Sequence, residues 1–575
     1  MPTDLIDSRR GDEKRGGRPL GGQPQIPLIR PGPGHRLVPH SEVPVLLRPG
    51  VRRLAVVLSC ALVVFLGWRL VRATDVDLAL ADGSDLVVLQ SLGLADRPVL
   101  VSTGSGGVGA TFRVTLAGVP LTDVQREGRD TLRIVLPDGL PEGGYELAVE
   151  AGRTLFFRDR RASWPVVIDD TPPSIGAPVD LAPVRLGDPV VLRGALEPGA
   201  RLEVDAGPLA PDSVRWTEEG YEVRFPRPPV DEVRLVAVDL AGNRTEKFVN
   251  VSVAYPTDTR AVHITAAGWG NDEIRSHVLG LVDAGLVNAV QLDLKDEAGI
   301  VGYDSRVPRA LEAGAVVPEY RLAEALEVLR NRGVRVIGRI VAFRDPVLAD
   351  WAWSTGRREL VLQTPTGERL ADYGGFTNYA HPEVRAYNLA IAEEAAAAGV
   401  SDILWDYVRR PEGDPATMVV PGMTGTGRTT GDEMTDFFTE SQRRLRALGA
   451  YQGASVFGIA ATRPENIGQP IDRFAKVLDY VAPMVYPSHY NSGECGVASP
   501  VRQPYDIVRC SLADFRTVMA GSGSSLVPWL QDFSLGGVRY GPQEVAAQIR
   551  AAREVGASGF LLWNAASWYS YAGTG

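Results

Sequence analysis

Eight apolar runs alternate with amphipathic stretches across residues 255–575, and that rhythm constrains the fold of this 575-residue chain more than any other feature. The runs are "AVHITAAGWG", "NAVQLDLKD", "VRVIGRIVAF", "DILWDYV", "GASVFGIAA", "YVAPMVYPSH", "SLVPWLQDF" and "GFLLWNAAS". Between them, "EYRLAEALEVLRNRG", "VRAYNLAIAEEAAAAG", "EMTDFFTESQRRLRALG" and "PQEVAAQIRAAREVGA" repeat apolar residues at helical spacing, several closing on a C-cap glycine. Strands buried on both faces and joined by helices predict a parallel sheet. Eight such units in roughly 320 residues predict an α/β TIM (β/α)8 barrel.

The chain ahead of the barrel reads differently, so the expected fold class is multidomain. Residues 73–168 alternate apolar and polar, as in "TFRVTLAGV" and "YELAVEAG", with frequent Gly, Pro and Asp breaks, which predicts a β-sandwich module. Its "GSGGVG" at 104–109 matches G-x-G-x-x-G in form only, because a strand rather than a helix follows; a hairpin loop is the expectation. "DDTPPS" at 169–174 is a proline-stiffened linker into a second all-β module, 169–254. There Val233, Leu235 and Ala237 share one face and Asp239 to Asn243 make a turn. "DDTPP … AVDLAGN" resembles bacterial immunoglobulin-like modules, which implies a spacer or a weak glycan contact.

Residues 1–50 read as a disordered basic arm: the first 53 residues carry ten Lys/Arg against five Asp/Glu, among many Gly and Pro. Residues 51–72 follow as a transmembrane signal-anchor, with no charge from Leu54 to Trp68 and an apolar stretch reaching Val71 if Arg69 snorkels. A signal peptide cleaved near Val71-x-Ala73 is the competing reading; the long basic lead favours the anchor. Either way the basic arm stays cytoplasmic and the bulk of the chain is exported from the cell membrane, with the lipid bilayer met through 54–71. Cys60 lies in that segment, leaving Cys495 and Cys510 exported. They are free to pair in that compartment, or to stay two small hydrophobes. Net charge of −10 excludes a nucleic-acid partner, which needs a basic footprint, and no Cys/His spacing suggests a metal.

A TIM barrel builds its active site at the C-terminal ends of its strands, and polar and aromatic residues collect there. Asp293, Lys295 and Asp296 end the second run, with Arg339 and Arg344 in the third and its loop. Asp406 and Arg409 end the fourth, Tyr486 and His489 the sixth, Gln531 and Asp532 the seventh, and Trp563 with Asn564 the eighth. Two carboxylates around one bond are what glycoside hydrolysis needs, one giving a proton and the other attacking or activating water. The expected catalytic group is therefore Asp406, partnered by Asp293 or Asp532. Trp405, Trp529 and Trp563 offer flat apolar faces to sugar rings, and Arg339, Arg409, Tyr486, His489 and Gln531 offer polar contacts. The bland alternatives are an Asp406–arginine pair that braces a loop, an Asp293–Lys295 ion pair, and a hydrogen-bonded loop histidine at 489.

"LDLKDEAGIVGYDS", "GRIVAFRDPVLA", "ILWDYVRRP", "YVAPMVYPSHY", "VPWLQDF" and "GFLLWNAAS" together resemble the bacterial putative glycoside hydrolase family, whose catalytic domain was long of unknown function. The resemblance spans nearly all of 260–570. It implies a TIM barrel akin to chitinase-like and amylase-like glycosidases, acting on a polysaccharide without a cofactor, with Met484, Tyr486 and Trp563 in the sugar pocket. Two positions depart from the family's pattern: Ser455 and Asn564 stand where the family carries Asp. The expected function is thus a membrane-anchored hydrolase of cell-envelope or extracellular polysaccharide. A barrel that binds glycan without cutting it is the alternative.

Overall fold

The computed structural model describes residues 76–571 apart from 105–109, 153–159, 180 and 218–219. The expectations for the basic arm, the signal-anchor with Cys60, and most of the "GSGGVG" loop lie outside the described residues. Among the described residues, no helix is long and apolar enough to cross a membrane.

Eight parallel strands close on themselves. They are β1 (Thr259–Ile264), β2 (Ala289–Lys295), β3 (Arg335–Val341), β4 (Asp402–Asp406), β5 (Tyr451–Phe457), β6 (Tyr480–Met484), β7 (Ser525–Leu526 and Trp529–Gln531) and β8 (Gly559–Trp563). Each pairs with the next, and β8 returns to β1 with Ala261 opposite Leu561. All eight apolar runs contribute a barrel strand. Pro528 interrupts β7 because it has no N–H to give the ladder.

Alternation sorts the strand residues between two cores. Ala261, Ala289, Ile337, Leu404, Tyr480, Ala482, Trp529 and Leu561 fill the barrel interior. Their neighbours, among them Val262, Val290, Trp405 and Val456, pack outward beneath the helices. Those helices are α1 (Asp272–Asp283), α2 (Leu322–Arg330), α3 (Pro346–Ser354), α4 (Pro382–Ala398), α5 (Thr430–Ala447), α6 (Ile471–Phe474), α7 (Pro504–Val518) and α8 (Pro542–Glu554). Local chemistry bounds them: a Thr429/Asp432 capping box starts α5, and Gly399 ends α4 in the left-handed conformation, φ 107°. The "EYRLAEALEVLRNRG" stretch does not begin as a helix. Val316–Tyr320 is a strand that pairs with Val301–Tyr303 at the barrel's edge, and the helix starts only at Leu322.

The two β modules are each built of two sheets around one core. In 76–168, a four-stranded and a five-stranded sheet enclose Val101, Val114, Ile134, Leu147 and Val166. In 169–254, two three-stranded antiparallel sheets enclose Leu192, Val223, Leu235 and Ala237. Asp239 turns the chain there by accepting the N–H groups of Gly242 (2.7 Å) and Asn243 (2.9 Å). This second module seats on the barrel's N-terminal floor, where Leu186 and Tyr255 join the interior core. The Tyr451 hydroxyl fastens it, accepting from Leu186 N (3.0 Å) and donating to Ala254 O (3.2 Å). The opposite, C-terminal face is left open.

Candidate active site

At that face lies a cleft of about 460 Å³. β2, β3 and β4 aim Asp293, Arg339 and Asp406 into the barrel because each sits at an inward position of its strand. Arg339 is the hub. Its Nε (2.9 Å) and Nη2 (2.7 Å) both donate to Asp406 Oδ2, and its Nη1 donates to Asp293 Oδ1 at 3.1 Å. Nη2 also bonds Glu297 Oε1. Asp406 Oδ1 accepts the N–H of Tyr407 at 2.7 Å. Because one nitrogen serves both Glu297 and Asp406, their oxygens stand within two hydrogen-bond lengths, roughly 6 Å at most.

Burial would lower the Arg339 guanidinium, but Glu297, Asp293 and Asp406 carry it well above its ordinary value. Burial alone would likewise raise Asp293; the charges of His263 and Arg339 overcome it and hold that carboxyl well below the usual range. Glu297 is also held low, because Arg339 outweighs burial and the neighbouring Asp293. Burial pushes the Tyr486 phenol far up and the His489 imidazole down, so both stay neutral at neutral pH.

Aromatic rings wall the cleft. Trp563 stacks on His263 at 4.1 Å and lies 5.1 Å from the Arg339 guanidinium. Trp529 is held by an indole N–H bond to Ser455 Oγ, 3.0 Å. Arg409 lies over Phe457 (4.5 Å) and Tyr407 (4.8 Å), with Glu412 at 3.5 Å. Tyr373 and Tyr407 both take left-handed backbone angles, φ 55° and 50°, which are uncommon for residues with a Cβ.

Asp406, Arg339, Arg409, Tyr486, His489, Trp529, Trp563 and Met484 thus line one cleft. Asp293 belongs to its floor rather than its lining: at 2 % exposure it receives Arg339, Gln291 Nε2 (3.2 Å) and His263 Nε2 (3.0 Å). Three expectations are corrected. Trp405 neighbours Asp406 in β4 and so faces the other way, donating to Ser441 Oγ (3.1 Å) and packing on Phe437 under α5. Gln531 is fully buried, with its amide spent on Ser488 N (3.0 Å) and Phe533 O (2.8 Å). Asp532 follows the last residue of β7, and its carboxylate receives the Ser570 hydroxyl (2.6 Å) and N–H (3.0 Å) away from the cleft.

The alternative Asp293–Lys295 ion pair is absent as well. A register shift between the two residues turns Lys295 outward to Asp345, 2.6 Å away and fully buried. Neither departure from the family's pattern leaves a gap in the lining. Ser455 orients Trp529, and Asn564 caps the turn after β8, accepting from Ala566 N at 2.8 Å.

Sequence reasoning missed Glu297, Tyr373, Tyr407, Glu412 and Phe457. Glu297 had no reliable signal, because it lies past the end of β2, where a register shift has already broken the alternation that starts at Asp293. Tyr407 had none, because only its left-handed backbone brings it to the mouth beside Asp406.

No curated protein sequence matches the chain. Among solved structures, a hypothetical protein from Ruminiclostridium thermocellum is 27 % identical, with TM-score 0.30, covering 34 % of this chain and 96 % of that one. The PgaB (BpsB) glycoside hydrolase domain from Bordetella bronchiseptica is 15 % identical with TM-score 0.41, covering 54 % and 95 %. The C-terminal domain of a putative chitinase from Desulfitobacterium hafniense is 11 % identical with TM-score 0.34, covering 54 % and 94 %. A family model described as "Putative glycosyl hydrolase domain" matches residues 261–569, which is 309 of 575 residues. That span holds seven of the eight strands whole, most of β1 and every residue of the cleft. The chain belongs to this glycosyl hydrolase family.

Proposed function

We propose that the protein is an exported glycoside hydrolase that cuts a cell-envelope or extracellular polysaccharide, with Asp406 and Glu297 as its carboxylate pair. The observation that carries this reading is the single Arg339 nitrogen that bonds both groups. It brings one oxygen of each within roughly 6 Å, a spacing compatible with the ~5–5.5 Å carboxyl separation of retaining glycosidases. Asp406, clamped by two guanidinium donors and a backbone N–H, is suited to attack the anomeric carbon. Glu297 is the more open group, with about a third of its side chain exposed. It is suited to give the leaving oxygen its proton once a bound sugar shields it from water and breaks its hold on Arg339. Trp563 and Tyr407 supply faces for sugar rings, with the buried Trp529 packed behind Trp563, and the neutral Tyr486 and His489 supply hydrogen bonds.

Export fits the bond between Cys495 and Cys510, whose Cα atoms lie 6.3 Å apart, because disulfides persist in oxidising compartments. Membrane anchoring through 54–71, with the two β modules as the reach between bilayer and barrel, belongs to the same proposal. The test is release of reducing ends from purified envelope polysaccharide. Asp406→Asn and Glu297→Gln should each lower the rate by about 10²–10⁴, and the product should keep its anomeric configuration. Full activity in Asp406→Asn would sink the assignment.

The second reading, a barrel that grips glycan without hydrolysis, draws on Arg339's engagement of all three acids. It predicts tight binding with no turnover by the wild-type protein.

A further inference from the structure

Six described non-glycine residues have positive φ, and three of them cluster at the barrel mouth: Tyr373, Tyr407 and Ser567. Conformations of that kind persist only where the surroundings enforce them, and they gather at ligand clamps. Here each one presents an aromatic ring. Tyr373 and Tyr407 are such rings themselves; Ser567 (φ 54°) precedes Trp568.

Trp568 is the least explained of these. It is 48 % exposed, yet it is not loose: its indole lies parallel to the His277 imidazole of α1, 8° between planes and 4.1 Å between centroids. The loop that carries it is fastened on both sides. Ser567 Oγ accepts the N–H of Thr265 (3.2 Å), the first residue past β1, and the N–H of Tyr569 donates to His277 Nε2 (3.1 Å). The Tyr569 side chain anchors the loop inside the barrel through its hydroxyl to His263 O. An indole backed on one side by a parallel ring and held by its neighbours keeps its other face toward solvent.

Topology places these rings on opposite rims. Tyr407 follows β4 and Trp568 follows β8, four strands apart in a ring of eight, and Tyr373 (39 % exposed) joins the β4 side beside Arg409, 5.8 Å away. Between the rims lie Trp563, Asp406 and Glu297. We propose that an extended polysaccharide lies across the mouth from Tyr373 to a sugar-binding platform at Trp568, so that the chain is engaged on both sides of the carboxylate pair. Rings packing flat on indole and phenol faces need an apolar face of axial C–H groups, which gluco-configured pyranoses present whatever their linkage. Reach selects the linkage: equatorial bonds keep a chain extended from rim to rim, whereas α-1,4 bonds coil it. The ligand class is therefore a β-linked pyranose chain, and the mode of cutting is internal. This rests on the hydrolase reading for the cutting, whereas the binding stands without it.

The test is affinity electrophoresis of the full chain in native gels containing hydroxyethyl cellulose or glycol chitin, two soluble β-1,4-linked polymers that differ at C2. The Asp406→Asn background removes turnover as a variable. Retardation in at least one gel, weakened about tenfold by Trp568→Ala and restored by Trp568→Tyr, is the expected result. Trp216→Ala, which removes an even more exposed indole (59 %) from the second β module, should leave retardation as it was. A thermal melt checks that Trp568→Ala folds. No retardation in either gel would overturn the proposal, as would equal loss in Trp216→Ala or undiminished binding in folded Trp568→Ala. Absence of reducing-end release by the wild type, with Trp568-dependent retardation intact, would reject hydrolysis and leave the platform standing.

Discussion

Arg339 meets the buried Asp293 and Asp406 and the part-exposed Glu297 at one guanidinium, and the four groups stand or fall together. Removing one partner of a buried ion pair strands the other and costs roughly 3–5 kcal/mol. Arg339→Met should therefore lower stability by about that much in denaturant unfolding, whereas Asp406→Asn, which keeps most of the hydrogen bonds, should cost far less. Asp293 adds a pH dependence whose sign is definite. Its folded carboxyl is held below the unfolded value of about 3.9, so its contribution is present above that pH and lost as pH falls toward the folded value. The stability gap between wild type and Asp293→Asn should accordingly narrow from pH 7 to pH 3. A gap that widened with acid would mean that Asp293 is not held ionised by His263 and Arg339.

Along one element, β4 shows what alternation decides. Asp406 and Leu404 face the barrel interior, and Trp405 between them fills the layer under α5 against Phe437, at 4.8 Å. Trp405→Ala should cost about 3–5 kcal/mol in stability by opening a core cavity, while a folded Trp405→Phe should bind glycan as the wild type does. β2 breaks the same rule. Its register shift after Asp293 sends Lys295 outward, so period-two counting from sequence misplaces that residue. The loop after β6 is braced differently, by the Cys495–Cys510 bond across 15 residues of chain, with His489 and Tyr490 of the cleft just ahead of it. Cys510→Ser should lower the melting temperature by an amount equivalent to about 3 kcal/mol on the loop-entropy account. The loss should be smaller if the bond acts mainly on the folded state.

At the scale of the whole molecule, the second β module is part of the barrel's floor. Leu186 and Tyr255 complete the interior core, and Tyr451 bonds the module's backbone at two points. Tyr451→Phe should weaken that seat by about 1–3 kcal/mol, since it leaves a buried N–H without a partner. A 169–575 fragment should melt higher than 255–575. The barrel's architecture was legible because it is written in local periodicity: each run is apolar on both faces and each helix on one, whatever its partners. Asp406, Arg339, Arg409, Tyr486, His489, Trp529 and Trp563 were legible because strand ends point to one face of a barrel. The place of Glu297 beside Asp406 in the cleft, the outward turn of Lys295, the retreat of Gln531 and Asp532 from the cleft, and the seat of the β module were not. Sequence by itself determined which elements form and which strand ends gather polar and aromatic side chains, through spacing and side-chain polarity. Only the tertiary structure decided which side chains meet, because a register shift, a left-handed tyrosine or one shared guanidinium depends on contacts between residues far apart in the chain.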